Sequence, residues 1–366
     1  MRVLYYFLDL PTMMYQWQRH HIIDEMNIHN CYIEVISPLS YESIDVANEK
    51  IVKKIKSGKY ELFLTCLTSK FIYPDTIKTI KKFGIPTLLF CPDNLVAPFN
   101  HKDIAPLFDL VWLTSRETGY LFKRWKCKTI FQPYAANPMF LKPVPVIHNQ
   151  DIQRVAFIGR PHGSRIDCLN TLLSAKIPVT LHTSASNVDE SFMKASIKDY
   201  ARTLYTFSKY PIGRKLAKAA VIDKFTKRHL TDPFECLEKK KPIPLEHLSE
   251  YNGKYALVLS FTDANSTGVL KKPVKIVNLR NFEIPMSGGL QCTMYSDELA
   301  SYFENDREIV MGKTTEELIE KIRFYLREEQ ATNRQTMRVA ARKRAEKDHT
   351  WYNRFSKVFR EIGIQI

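Results

Sequence analysis

The chain of 366 residues is 45% hydrophobic and 25% charged, which is the composition of a globular protein long enough for two domains. This composition excludes collagen-like and intrinsically disordered proteins, and no apolar run reaches the roughly 18 residues needed to span a bilayer. The formal net charge of +15 fits three kinds of anionic partner: a nucleic acid, a membrane surface or an anionic substrate.

The sequence lacks the motifs of several protein classes. No helix-turn-helix, zinc-finger or RRM pattern is present, so nucleic acid is not an expected partner. The seven cysteines are widely spaced without a Cys-x-x-Cys pair, which indicates reduced core residues. The apolar start is followed by Pro11 without a small-residue cleavage site, and it predicts a first buried strand and no signal peptide. We therefore expect a cytoplasmic protein.

The first 145 residues alternate strand and helix patterns. Apolar runs predict strands at residues 3–8, 31–36, 62–67, 86–90 and 110–113. Amphipathic stretches predict helices between them at residues 13–26, 44–55, 75–83 and 117–125. This alternation favours a parallel, doubly wound α/β sheet.

Residues 137–151 interrupt the alternation with three prolines and little periodicity, which predicts an interdomain linker. The pattern then restarts, with strands predicted at residues 154–159, 178–182, 255–261 and 290–295. We predict a first domain over residues 1–145 and a second over residues 151–349, each with a Rossmann-like sheet. Ligands of such sheets bind beyond the carboxyl ends of the strands.

A basic helical insertion is predicted within the second domain, at about residues 187–245. Its central part, residues 196–229, holds nine Lys and Arg but two Asp, together with apolar residues at helical spacing. Two interpretations stay open: a solvated helical subdomain, or a surface that contacts an anionic membrane.

The most informative stretch is residues 275–291, KIVNLRNFEIPMSGGLQ. Charged side chains interrupt an apolar segment, which ends in a glycine pair directly before a predicted strand. Glycines at such a junction allow positive φ and close backbone approach. The carboxylate of Glu283, about a turn and a half earlier, is a good acceptor for sugar or ribose hydroxyls.

This stretch resembles the Lys-x-x-x-x-Arg-x-Phe-Glu-x-Pro-x-x-x-Gly pattern of CgeB-like (spore maturation protein) glycosyltransferases. The matching residues are Lys275, Arg280, Phe282, Glu283, Pro285 and Gly289. The tail from Glu346 to Trp351 is similar to the acidic-x-x-His-Thr-Trp ending of that family, and the similarity is strongest over residues 255–360.

The resemblance implies the GT-B fold, in which two Rossmann-like domains face across a cleft and the last helix, here residues 350–366, packs on the first domain. It also implies the residues that bind a nucleotide-sugar donor: a Gly-Arg pair and a nearby basic residue on the diphosphate, and a glutamate on the ribose. The expected donor-binding residues are Gly159, Arg160, Gly163, Ser164, Arg165, Lys275, Arg280, Glu283, Ser287, Gly288 and Gly289. Simpler roles stay open for them. The residues from 159 to 165 could form an exposed loop, Glu283 could pair with Arg280 on the surface, and residues 287–289 could be a plain helix C-cap.

One position departs from the pattern of many retaining relatives, which carry a second glutamate where this chain has Lys275. Lysine would neutralise phosphate instead, so a retaining outcome does not carry over. An inverting enzyme needs a general base, and the candidates are Asp93 and Asp9, which each follow a predicted strand. Asp93 is equally compatible with a turn-forming role. No Asp-x-Asp motif is present, so we expect no essential metal and no cofactor beyond the nucleotide sugar.

We predict a metal-independent, hexosyltransferase-like enzyme that transfers a sugar to a carbohydrate or lipid-linked acceptor in surface polysaccharide or glycoconjugate synthesis. It would be cytoplasmic, and peripheral at the inner face of the membrane if the insertion contacts lipid. The alternatives are a nucleotide-sugar epimerase or polyol-phosphate transferase of the same fold, and a non-catalytic sugar-binding structural protein.

Overall fold

The computed structural model describes residues 1–144, 151–184 and 197–364, without the side chains of residues 13, 14 and 197–199. The predicted linker and the start of the predicted insertion lie partly outside this range. The chain divides into two units, of which unit 1 comprises Met1–Asn137 with Thr350–Ile366, and unit 2 comprises Pro138–His349. The division precedes residue 145 because Arg342 of unit 2 donates hydrogen bonds to the carbonyl groups of Pro138 and Leu141.

Unit 1 is built on a parallel sheet of six strands in the order β2-β1-β3-β4-β5-β6. The strands are β1 (Arg2–Tyr6), β2 (Tyr32–Ile36), β3 (Leu62–Thr65), β4 (Thr87–Cys91), β5 (Leu110–Leu113) and β6 (Thr129–Phe131). The helices of its first segment are α1 (Met13–Gln18), α2 (Asp24–Ile28), α3 (Ile44–Ser57), α4 (Pro74–Lys81) and α5 (Gly119–Arg124). Strands β3, β4 and β5 are buried along their whole length, which explains their continuous apolar sequences.

Unit 2 is also built on a parallel six-stranded sheet, in the order β12-β11-β10-β7-β8-β9. The strands are β7 (Ile152–Ile158), β8 (Val179–His182), β9 (Leu237–Lys240), β10 (Tyr255–Leu259), β11 (Gln291–Met294) and β12 (Val310–Gly312). The helices are α6 (Ser164–Ser174), α7 (Ile197–Ser208), α8 (Pro211–Phe225), α9 (Leu248–Lys254), α10 (Arg280–Met286), α11 (Asp297–Ala300), α12 (Thr315–Tyr325) and α13 (Ala331–Asp348). The first strand, β7, lies between β10 and β8, so the strand order reverses there and the loop after β7 is the expected ligand position.

The last helix, α14 (Trp351–Glu361), belongs to unit 1. The Thr350 side chain caps its first turn, and the Trp351 ring lies 6.0 Å from the ring of Trp112 on β5. The buried carboxylate of Glu25 on α2 accepts the backbone N–H groups of Trp351 and Tyr352. The returning helix is thereby fixed at its N-terminus by hydrogen bonds to an acidic side chain.

The predicted α/β class is confirmed, since each unit carries a parallel sheet flanked by helices. The sequence did not predict the short edge strands β6 and β9. The predicted helix at 13–26 is interrupted by a π-helical turn over Arg19–Ile23. All seven cysteines are free. Within the described ranges, every helix falls short of the length and apolar character that crossing a bilayer requires.

Candidate functional site

The carboxyl ends of β7 and β10 carry most of the predicted donor-binding residues of unit 2. Asparagines fix the start of α10 against the end of β10. Asn278 donates to the carbonyl of Phe261 at 2.9 Å, and its own side-chain oxygen accepts the backbone N–H of Arg280 at 3.0 Å. Asn281 donates to the hydroxyl of Ser260 at 3.1 Å. Arg280 and Glu283 are therefore held at this edge of the sheet.

The loop after β7 leads directly into α6. Gly163 precedes the helix with φ 54° and ψ −139°, a conformation that disfavours residues with a Cβ. The backbone N–H groups of Gly163 and Ser164 have no hydrogen-bond acceptor among the described residues. Free N–H groups at the start of a helix of this length are suited to binding an anion.

The turn after β10 packs closely against this helix start. A Cβ on Gly268 would lie 2.5 Å from the Ser164 hydroxyl and 2.9 Å from a carboxylate oxygen of Asp263. Glycine at 268 therefore permits the two loops to meet, and it brings Asp263 beside the predicted phosphate-binding turn.

Two arginines converge on this edge without a full set of acceptors. Arg165, in the first turn of α6, lies with its guanidinium carbon 5.5 Å from the Phe261 ring centroid, and its buried Nε has no hydrogen-bond partner. Arg280 keeps a buried Nη1 without a partner. Burial, and then the positive charge of Arg280, lower the pKa of Arg165. The two cations repel each other, and their unsatisfied N–H groups favour an anionic ligand.

The carboxylate of Glu283 is buried in the first turn of α10, where its Oε2 lies 3.5 Å from Nε of Arg280. The pairing with Arg280 that the sequence left open is therefore present. A carboxylate accepts several hydrogen bonds at once, so this ion pair and a contact with ribose hydroxyls are compatible.

Lys275 lies at the same edge but already has a counterion. Its Nζ is 2.6 Å from Oδ1 of Asp263, and the two residues also form an isolated antiparallel bridge. Because Asp263 offsets this charge, Lys275 adds less positive potential than the sequence indicated.

Ser287, Gly288 and Gly289 lie at the amino ends of the strands, opposite the carboxyl ends that carry Arg165 and Arg280. This position corrects the placement expected from sequence. They precede β11, and a Cβ on Gly289 would lie 2.9 Å from the carbonyl oxygen of Asn252, just before β10. The N–H groups of the three residues bond to the carbonyls of Glu283, Pro285 and Ile284, respectively, and Gly288 has φ 76°. This is a Schellman-type helix end, and it leaves none of these three donors for a nucleotide.

Gly159 and Arg160 lie on the loop after β7, as predicted. The N–H of Gly159 donates to the carbonyl of His182 at 3.0 Å, while Arg160 is exposed. His162, which was not assigned a role from sequence, is half-buried beside Arg165. Burial, followed by the charge of Arg165, lowers the pKa of His162 to about 4, so its imidazole is neutral near pH 7.

Two acidic residues near the start of α6, Asp223 and Asp263, were not predicted from the sequence. A Cβ on Gly163 would lie 3.3 Å from Oδ2 of Asp223, and this oxygen accepts the Ser266 hydroxyl at 2.7 Å. The sequence does contain a signal for Asp263, Ser266 and Gly268, because they form a polar turn directly after the apolar strand β10. Asp223 lies in the insertion, and no local pattern linked it to this edge.

The two proposed bases lie in unit 1. Asp9, after β1, forms a two-contact ion pair with the guanidinium of Arg19. Hydrogen bonding to Arg19 lowers the pKa of Asp9, which weakens it as a base. Asp93, after β4, is exposed with φ 54° and accepts the Tyr134 hydroxyl at 2.8 Å. The positive φ agrees with the turn-forming role that the sequence left open.

No cluster of three His, Cys, Asp or Glu side chains that could hold a metal ion occurs in the described part of the chain. Unit 2 thus presents arginines and helix N–H groups suited to an anion, with a buried carboxylate beside them.

Comparison with known proteins agrees with this architecture. Residues 225–360 match a family model described as "Glycosyl transferase-like", a range that contains Lys275, Arg280 and Glu283 but not Arg165. A search of the curated proteins found no match.

Solved structures match over nearly the whole chain. Sucrose-phosphate synthase from Thermosynechococcus elongatus is 13% identical with a TM-score of 0.54, covering 99% of this chain and 98% of that one. HepE of Anabaena in complex with UDP-glucose is 12% identical with a TM-score of 0.57, covering 99% of both chains. A glycosyltransferase from Rickettsia africae is 10% identical with a TM-score of 0.58, covering 99% and 98%. The fold is therefore that of GT-B glycosyltransferases, and the family-model match supports this superfamily.

Proposed function

We propose that this protein is a glycosyltransferase that transfers a sugar from a nucleoside-diphosphate donor to an acceptor hydroxyl. The observation that carries the proposal is the convergence of Arg165 and Arg280, which are like-charged, partly unsatisfied and next to the free N–H groups at the start of α6. A diphosphate would supply acceptors for both arginines and remove their mutual repulsion.

The same groups would assist the chemistry. Negative charge grows on the leaving diphosphate as the bond to the sugar breaks, and fixed donors in a partly buried site stabilise that charge. Arg165, Arg280 and the α6 N-terminus supply this stabilisation, so the proposed reaction needs no divalent cation. The carboxylate of Glu283 would accept hydrogen bonds from the ribose hydroxyls. Its pair with Arg280 orients the carboxylate beside the phosphate-binding arginine.

Of the two candidate bases, Asp93 is the better one, because the ion pair with Arg19 stabilises the ionised form of Asp9. The finer assignments are also proposals: membership of the CgeB-like group, hexosyl transfer without a cofactor, and a cytoplasmic role in polysaccharide or glycoconjugate synthesis. A lipid-linked acceptor would suit the basic insertion of unit 2.

Donor turnover tests the proposal. We expect the protein, incubated with a panel of nucleoside-diphosphate sugars, to release the nucleoside diphosphate of one of them and to bind that product in calorimetry. Glu283→Ala and Arg165→Ala should each weaken binding about 10- to 100-fold, since each removes a charge-assisted hydrogen bond. Glu320→Ala, an exposed change on α12, is the matched control and should bind normally.

The other outcomes are distinct. Binding without release would indicate a non-catalytic binding protein, and a changed sugar without net transfer would indicate an epimerase. Transfer of a polyol phosphate would indicate a polyol-phosphate transferase. Normal product affinity in Arg165→Ala would refute the donor site proposed here.

A further inference from the structure

One face of α8 in the insertion of unit 2 is exposed along its whole length. The exposed positions recur every three or four residues, so they form one stripe on the helix. The members of this stripe are Pro211, Arg214, Lys215, Lys218, Val221, Ile222 and Phe225. We call it the α8 stripe.

The first half of the α8 stripe is cationic. Lys215 and Lys218 have no ion-pair partner among the described residues, and Arg214 makes one long contact, 3.5 Å, to the carbonyl of Ser208. Over residues 200–229 the sequence has eight Lys and Arg against one acid, Asp223. That acid is already engaged by Arg228 and Ser266, so the positive charge of the stripe is not offset locally.

The second half of the stripe is apolar. Phe225 is 82% exposed, and Val221 and Ile222 are 39% and 36% exposed. Three large apolar side chains side by side on a solvent-exposed helix face lose the free energy that burial would provide, which indicates a surface that another phase or molecule covers.

The inner face of α8 is firmly packed, so the exposure of the stripe does not reflect a loosely held helix. A Cβ on Gly213 would lie 2.2 Å from the carbonyl oxygen of Phe207, which shows how closely α7 and α8 meet. Leu216 and Ala219 are buried on the inner face. Near the end of α8, Arg228 bonds to Asp167 of α6 as well as to Asp223.

We propose that the α8 stripe docks on an anionic lipid bilayer, with the lysines at the headgroups and Val221, Ile222 and Phe225 in the acyl boundary. Cations at one end and apolar side chains at the other end of the same helix face complement such a surface. Val221 and Ile222 have no ring to stack on a base, and Phe225 supplies only one, so single-stranded nucleic acid is a poorer fit. The proposal goes beyond sugar transfer and does not depend on it.

Vesicle co-sedimentation of the full chain tests the docking. We expect binding to vesicles of phosphatidylcholine with 30% phosphatidylglycerol (composition chosen as roughly that of an anionic surface), and none to pure phosphatidylcholine. Lys215→Glu with Lys218→Glu should weaken binding at least about tenfold. Phe225→Ser should weaken it about fivefold and should leave a larger share of the remaining binding sensitive to salt, because the apolar contribution is removed.

Lys50→Glu with Lys56→Glu on α3 of unit 1 is the matched control, since it changes the net charge equally on another exposed helix. It should bind vesicles almost like the wild type. An equal loss in this control would reduce the effect to net charge and overturn the proposal, as would the absence of binding at low salt. Self-association through the stripe, seen by analytical ultracentrifugation and abolished by Phe225→Ser, would assign the surface to a second copy instead. Calorimetry with the nucleoside diphosphate should give the wild-type affinity for every stripe variant, which keeps this test separate from the proposed function.

Discussion

Two pairs of arginines in unit 2, one buried and one half-buried, differ in how their charge is compensated. Arg334 is fully buried, contacts both carboxylate oxygens of Asp151 at 2.8 and 2.7 Å, and donates to two carbonyls. Arg338 donates to Asp151 and to the carbonyl of Tyr255, although its Nε is unpaired. Arg165 and Arg280, at the carboxyl edge of the sheet, share a smaller set of acceptors and keep unsatisfied nitrogens.

The difference in acceptors distinguishes arginines that stabilise the fold from arginines suited to binding a ligand. Arg334 and Arg338 of α13 hold the residue before β7 and the start of β10 together, so their hydrogen bonds are complete or nearly so within the fold. In the proposed donor site, a bound anion would supply acceptors to the unpaired nitrogens of Arg165 and Arg280. The two pairs therefore differ in the acceptors that the fold supplies to them.

The largest effect is expected from removing the shared carboxylate. Asp151→Ala should destabilise the protein by about 3–5 kcal/mol, because it leaves two buried guanidinium groups without a counterion. The melting temperature of the full chain should fall on the order of 10 °C. Asp9→Ala is the matched control in unit 1, where the half-buried pair with Arg19 should contribute at most about 1 kcal/mol.

Arg165→Met provides the converse measurement. It removes an uncompensated cation and keeps an apolar side chain near Phe261, so the melting temperature should stay the same or rise. A loss of stability as large as that of Asp151→Ala would contradict the distinction between the two arginine pairs.

Glu25 in unit 1 is a buried acid instead of a buried base. Its carboxylate accepts hydrogen bonds from two backbone N–H groups of α14, but burial still disfavours its ionised form. Burial raises its pKa to about 7, above the ordinary value of 4.5. The folded protein then holds a proton that the unfolded chain releases, so the contribution of Glu25 to stability is fully present below about pH 4.5 and is lost as the pH rises through 7.

Glu25→Gln removes this titration. Between pH 4.5 and 8, the difference in unfolding free energy between the two proteins should move toward the variant by about 3 kcal/mol. Urea unfolding at several pH values measures it. Parallel stability curves for both proteins would show that Glu25 does not titrate in this range.

The strands were predictable because parallel sheets covered on both faces require continuous apolar sequences. Edge strand β9, Leu237–Lys240, has a single neighbour and carries exposed lysines, which discourage a further strand from pairing there, so its sequence lacks the apolar signal. Helix α13 is rich in Lys and Arg and has few large apolar residues, so its sequence shows no clear apolar face. Its buried face includes Arg334 and Arg338, whose partner Asp151 lies far away in sequence.

The candidate site was predictable where the topology alone determines position. Residues that follow β7 and the start of the helix after β10 must share the carboxyl edge, which brings Arg165 and Glu283 together. The glycines at 288 and 289 were misplaced because a helix between parallel strands begins at one edge of the sheet and ends at the other. Long-range pairs such as Lys275–Asp263 depend on loop geometry, which local periodicity does not encode.

The smallest expected effect concerns Lys275, whose charge Asp263 already offsets. Lys275→Ala should weaken binding of the nucleoside diphosphate less than about fivefold, since it removes the cation of a half-buried ion pair and leaves the acid. Asp263→Asn should instead tighten binding about two- to fivefold, because it removes a negative charge near Arg165 and frees Lys275. Calorimetry at low and high salt measures both changes, and the two variants should differ less at high salt. If Lys275→Ala lost as much affinity as Arg165→Ala, the presence of a counterion within the fold would not predict how strongly a basic residue contributes to binding.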